Sequence, residues 1–187
     1  TLLLHLIRGA GLHGLAGIPP RRGKVVRPLL ACSRAEILAY LEANGIPHVE
    51  DSTNADSRYA RNCLRQQVIP VLQALNPRLT EHAAQAMGYL RADDNYLNSL
   101  AGEAVRGAQW RGDDLILDAG CLACLPDALA PRAARLLLEQ TGGGSTDCSA
   151  AHLNALIALA RSSGPSGQVS LPGERLARRE YGSLILT

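Results

Sequence analysis

Gly9, Gly11, Gly14 and Gly17 crowd one short stretch that Pro19-Pro20 closes. No continuous helix or strand can run through it, because glycine raises the entropic cost of order and proline removes a backbone donor. Residues 8–20 are therefore expected to form a loop with close backbone approaches and one short turn inside it. Before it, Leu2, Leu3, Leu4, Leu6 and Ile7 read as the end of a helix, with Gly9 as its left-handed stop.

After the loop the pattern changes. Residues 25–30 (Val-Val-Arg-Pro-Leu-Leu) predict a short strand whose ladder Pro28 limits. Ser33-Arg34-Ala35-Glu36 is a capping box, and it opens a helix with an apolar face of Ile37, Leu38 and Leu41. Gly45 stops that helix and Ile46 packs back on its last turn. Residues 47–50 predict a second strand, followed by the polar run Asp51-Ser52-Thr53-Asn54-Ala55-Asp56. A helix then spans residues 58–75, bent or restarted at Pro70. Strand, helix, strand with short connections is the α/β pattern. Two strands are not a stable sheet alone, so further strands are expected upstream of Thr1.

Asn76-Pro77 opens a second pattern, a cap followed by proline at the first helical position. Leu79, Ala83, Ala86, Leu90, Leu97 and Leu100 recur near the helical period and predict a long helix to about residue 102. Residues 110–117 predict a hairpin turning at Gly112-Asp113. Helices are expected over 131–140 and 149–161, then strands over 168–171, 176–181 and 183–187. The expected organisation is an α/β part over residues 1–75 and a mainly helical α+β part over 76–187.

The longest apolar runs fall far short of the ~18 residues that a membrane span requires, and no secretory leader is visible, so a cytoplasmic protein with no membrane partner is expected. Five cysteines at irregular spacing make a poor disulfide framework. Aromatic residues are only 3% of the chain, which argues against base-stacking platforms for single strands. Residues 1–75 carry a net charge of +4 and the remainder −2, and 18 of the 19 basic residues are arginine. Guanidinium forks suit phosphate, so the first half favours a polyanion, unless the arginines reflect compositional bias alone.

Three stretches could carry chemistry, each with a plainer alternative. The Arg8-Gly9-Ala10-Gly11 bend could let backbone amides approach an anion beside Arg8, or it could simply end a helix. Glu50-Asp51-Ser52-Thr53-Asn54 follows a candidate strand, at the edge where α/β sheets bind ligands. A carboxylate there can hold an amine or a metal, although these residues also suit turns and caps. Arg58, Arg61 and Arg65, spaced by three and four, form one basic stripe for a phosphate backbone, or one solvated face. Cys121 and Cys124 lack two further ligands for zinc, so buried thiols and no metal are expected.

The ordered set Arg8-Gly9-Ala10-Gly11-Leu12, Arg27-Pro28-Leu29-Leu30, Ser33-Arg34-Ala35-Glu36-Ile37, Val49-Glu50-Asp51-Ser52-Thr53-Asn54, Tyr59-Ala60-Arg61-Asn62-Cys63-Leu64-Arg65 and Val68-Ile69-Pro70 resembles the tRNA(Ile)-lysidine synthetase family. Ser170-Leu171-Pro172-Gly173 and Tyr181-Gly182 resemble its middle domain. The resemblance implies the C-terminal part of a Rossmann-like PP-loop ATPase domain followed by a substrate-binding domain. It implies that ATP, with Mg2+, adenylates the wobble cytidine of an isoleucine tRNA, that L-lysine then attacks, and that AMP leaves. Arg8, Gly9 and Gly11 would line the nucleotide and lysine pocket, with Arg8 also catalytic. Asp51 would face the lysine amine and Asn54 would fix its loop. Arg58, Arg61 and Arg65 would meet phosphate or tRNA. The family is often dimeric, so a homodimer is one expected assembly. The Ser-Gly-Gly-x-Asp-Ser loop that grips pyrophosphate in this family does not occur in these residues, so the chain alone is expected to be inactive and to bind ATP weakly or not at all. Two alternatives stand beside this one: a tRNA-binding module without catalysis, and another PP-loop tRNA-modifying enzyme.

Overall fold

The computed structural model describes residues 1–49, 60–142 and 148–187. They form two compact units, Thr1–Asp94 and Asn95–Thr187.

In the first unit, α1 (Leu2–Ile7) ends at Arg8, and Gly9 takes a φ of 68°. The Gly9 amide donates to Leu6 O at 3.0 Å and the Ala10 amide to His5 O at 3.0 Å. That is the paired bonding of a left-handed helix stop, and only glycine adopts this φ without strain. A one-turn helix, α2 (Leu12–Leu15), follows inside the glycine-rich segment. Strands β1 (Arg21–Arg22) and β2 (Val25–Val26) then pair antiparallel.

The expected strand over residues 25–30 is shorter than its composition suggests. Pro28 opens a 3-10 turn, Pro28–Ala31, because it has no amide for a ladder and its fixed φ suits a helical start. Helix α3 (Arg34–Ala43) carries the expected capping box: the Ser33 amide donates to Glu36 Oε2 at 2.7 Å, and the Glu36 amide to Ser33 Oγ at 3.2 Å. It ends at Gly45, with the Ile46 amide donating to Leu41 O at 2.9 Å. No strand forms over residues 47–49, and Glu50 lies outside the described residues. A strand exists only as a member of a ladder; Val49 is 95% exposed, and among the described residues no strand pairs with residues 47–49.

Helix α4 (Ala60–Cys63) passes through a π-helical stretch, Leu64–Val68, into α5 (Ile69–Leu75). The Ile69 amide reaches back to Leu64 O, one residue farther than in an α-helix. This widening lies just before Pro70, whose missing amide and ring bulk exclude a regular turn there. Helix α6 (Leu79–Ala104) follows, and the division between the units falls within it.

The second unit is built on a five-stranded antiparallel sheet in the order β3-β4-β7-β6-β5, from β3 (Gln109–Arg111), β4 (Asp114–Asp118), β5 (Ser166–Leu171), β6 (Arg175–Glu180) and β7 (Ser183–Leu186). Gly112 turns the β3–β4 hairpin where the sequence places it. Helices α7 (Ala119–Ala123), α8 (Ala130–Gln140) and α9 (Ala150–Arg161) contribute to the same core. In α8, Ala130, Ala133, Ala134, Leu137 and Leu138 are buried, the i, i+3, i+4, i+7, i+8 stripe of an amphipathic helix. They pack with Leu115, Leu117, Leu184 and Leu186 of the sheet. Each fully buried leucine contributes roughly 1.5–3 kcal/mol, so this unit holds a core of its own.

The first unit differs. Its buried residues among those described are Ala16, Asn62 and Asp94. Leu6, Ile7, Val25, Val26, Leu29 and Leu30 are all exposed. No described helix is long and apolar enough to cross a membrane.

Candidate functional site

Both features of the site that the structure describes lie in the first unit. The first is the glycine-rich segment. Arg8 is exposed at the end of α1, and among the described residues it has no hydrogen bond or ion pair. Gly9 and Gly11 are exposed beside it. The Gly9 and Ala10 amides are already bonded within the helix stop, so Gly9 supplies the bend. Gly11 caps the N-terminus of α2, and its carbonyl accepts from the Leu15 amide at 3.1 Å.

The far side of the segment is held by α6, which sequence reasoning did not connect to it. Arg91 Nη2 donates to Ala16 O at 2.8 Å and to Ile18 O at 3.2 Å. His13 Nδ1 donates to Asp94 Oδ2 at 2.8 Å, with the Asp94 side chain 5% exposed. Gly17 has a φ of 72°, and a Cβ placed there would stand 2.0 Å from Met87 Cε. Met87, Arg91 and Asp94 are spaced by four and three, which puts them on one face of α6. The only available sequence signal was polar Arg91 and Asp94 at helical spacing beside the apolar stripe of that helix.

The second feature is a cavity of about 640 Å3. Its wall includes Leu2, Leu3 and Leu4 of α1, with Leu64, Ala83 and Met87 from later helices. Arg61 and Arg65 line it. They are four residues apart across the junction of α4 and the π-helical stretch, and the structure keeps them on one face, as the spacing predicts. The two guanidinium groups set a positive potential over the cavity they line. Neither has a hydrogen bond or ion pair among the described residues. Asn62, between them, is 9% exposed.

Asp51, Asn54 and Arg58 lie outside the described residues. Arg8 does not line the cavity: it ends α1, whose first turn forms the cavity wall. Among the described residues no group of three or more His, Cys, Asp or Glu side chains gathers as a metal site. Cys121 and Cys124 are both exposed, against the expectation of buried thiols. Helix α7 buries Ala119 and Leu122, and so turns the thiols out.

A PP-loop domain family matches residues 1–72, and a TilS substrate binding domain family matches residues 117–185. Among curated relatives, the tRNA(Ile)-lysidine synthase of Geobacter sulfurreducens is 36% identical, covering 98% of this chain and 40% of the relative. That of Geobacillus kaustophilus is 34% identical, covering 100% and 42%. That of Leifsonia xyli is 37% identical, covering 96% and 54%. The chain thus spans about half the length, or less, of these relatives.

Proposed function

The chain belongs to the tRNA(Ile)-lysidine synthase family, and on that premise we propose that it carries the later part of an ATP-dependent ligase site joined to a tRNA-positioning domain. The full-length protein would attach L-lysine to the wobble cytidine of isoleucine tRNA. We assign residues 1–75 to the ATP-using domain and residues 76–187 to the substrate domain. The compact first unit extends to Asp94, and Arg91 and Asp94 bond back to the glycine-rich segment.

In this reading the cytidine C2 oxygen attacks the α-phosphorus of ATP and pyrophosphate leaves. The lysine amine then attacks C2, and the C2–oxygen bond breaks to release AMP. The observation that carries the reading is the pair Arg61 and Arg65, on one face of one cavity with no anion of the described chain to neutralise them. Their role is to complement phosphate of nucleotide or tRNA, where fixed charge gains most as charge develops. Arg8 and the Gly9–Gly11 bend would bound the nucleotide. Asp51 would orient the lysine amine and accept its proton, with Asn54 fixing that loop and Arg58 extending the basic stripe. Mg2+ would accompany the ATP phosphates, which with water supply most of its ligands. A cytoplasmic location and a homodimer belong to the same proposal.

The test is lysine incorporation into isoleucine tRNA by the full-length protein and its Asp51→Ala variant. An orienting base contributes about 10²–10⁴-fold, so a loss of that size is expected, with tRNA binding intact. Activity within about threefold of wild type would remove Asp51 from the lysine site. Submicromolar ATP affinity of residues 1–187 by calorimetry would overturn the expectation that these residues alone bind ATP weakly or not at all.

A further inference from the structure

The glycine-rich segment is anchored to α6 in three places. Arg91 donates to the Ala16 and Ile18 carbonyls, His13 donates to Asp94, and Gly17 sits against Met87. The anchors reach the end of the segment opposite Arg8 and Gly9. Arg8 to Gly11 then follow through short-range bonds only: the helix stop on one side, and α2 on the other. His5 Nδ1, donating to Gly14 O, ties α1 to α2.

Burying a carboxylate is costly unless it is paired and hydrogen-bonded. Asp94 is 3% exposed. His13, by contrast, has a side chain 89% exposed, so its ring makes little packing contact of its own. The hydrogen bond therefore fixes the exposed partner to the buried one. Arg91 acts the same way, since a guanidinium with two backbone acceptors from one loop holds the separation of both. Gly17 lets the two backbones approach this closely, through its positive φ and its missing Cβ.

We propose that Arg91 and Asp94 are positioning residues: they hold the Arg8–Gly11 bend in the one conformation that receives the nucleotide. The proposal rests on the reading of that bend as the nucleotide segment. Neither side chain touches the reacting atoms. Releasing the anchors leaves the segment competent for only a fraction of the time, and the apparent dissociation constant rises by the inverse of that fraction. The chemical step, once ATP is bound, keeps its rate.

The test compares the full-length protein with Arg91→Met, Arg91→Lys, and His13→Ala, the last of which removes an exposed ring. Three quantities are measured: ATP affinity by calorimetry, kcat and KM for lysidine formation, and amide exchange over residues 11–17. For Arg91→Met and His13→Ala the expected result is an ATP Kd and KM raised about tenfold, a kcat within about twofold, and exchange faster by about tenfold, all following from a competent fraction near one-tenth. Lysine at position 91 should recover at least part of the affinity, because it too can donate to both carbonyls. Exchange in β4 and β7 should not change. Unaltered exchange in both variants, or faster exchange with unaltered ATP affinity, overturns the proposal, as does a fall in kcat at constant KM. A wild-type protein that binds ATP but forms no lysidine defeats the functional reading alone, because affinity and exchange still decide whether the anchors position the segment.

Discussion

Arg175 offers the most direct test of how the second unit is held together. It is 8% exposed, yet charged. Its Nε donates to Pro172 O at 2.8 Å and its Nη1 to Leu138 O at 3.0 Å, with longer contacts to Thr141 Oγ1 at 3.4 Å and Cys148 Sγ at 3.3 Å. The head group thus ties the end of α8 to the β5–β6 turn. Arg175→Met keeps most of the stem and removes the fork. Leu138 O retains a donor, since Thr141 Oγ1 also bonds it at 3.0 Å. Pro172 O is left without one, at a cost of about 1–3 kcal/mol. The charge-assisted bond to Leu138 contributes about 1.5–3 kcal/mol more. Against this stands the recovered cost of burying the charge, several kcal/mol for a fully buried ion and less for this head group, most of whose bonds are only partly buried. A net loss of about 2 kcal/mol is expected. Trp110 is the sole tryptophan and lies on β3, so its fluorescence follows this unit during urea unfolding. With a slope of roughly 1–1.5 kcal/mol/M for a unit of this size, the midpoint should fall by about 1.5 M. Arg175→Lys should fall nearly as far, because an ammonium cannot reproduce the fork. A midpoint shift below about 0.3 M for Arg175→Met would show that the bonds only offset the burial of the charge, and would refute the reasoning.

Two further outcomes follow from local geometry. Gly17→Ala combines a left-handed φ, costing about 1–2 kcal/mol, with displacement of Met87, so the first unit should lose about 2 kcal/mol in denaturant unfolding; adding Met87→Ala should not restore the φ contribution, and an unchanged midpoint in Gly17→Ala would show that the close approach does not exist in solution. The Ser33 hydrogen bonds hold the Glu36 carboxyl below its usual range, so the folded value lies under the unfolded one: the capping box contributes above the unfolded value and is lost as pH falls through the folded one. Amide exchange in the first turn of α3 should therefore accelerate from roughly pH 5 towards pH 3, and the Glu36→Gln variant should lack that dependence.

The parts of the fold that sequence reasoning reached are those decided within a few residues. Gly9 and Gly45 end their helices by bonds to residues three to five positions back, so both stops are legible from glycine and its neighbours. The same holds for the Ser33–Glu36 box, the Gly112 turn and the buried stripe of α8. Expectations failed where the deciding partner was remote. Valines and a proline at 25–28 suggest a strand, but a strand needs a neighbour, and here the ladder has only Arg21 and Arg22 to pair with. Cys121 and Cys124 lie beside leucines, but on a one-turn helix only one edge can be buried, and Ala119 and Leu122 occupy it.

The same distinction separates the two halves of the site. Arg61 and Arg65 were legible because both belong to one helical run, and four residues bring them to one face even across a π-helical stretch. Arg91 and Asp94 were not, because the segment they hold ends more than 70 residues earlier. A glycine-rich stretch states only that the backbone must bend and come close to something. What it comes close to is decided by the packing of α6, and the sequence marks that surface with nothing more than two charged residues three apart where a continuous solvated face would serve as well. A bend can therefore be located from its own residues, while its conformation depends on side chains whose role appears only when the chain is folded.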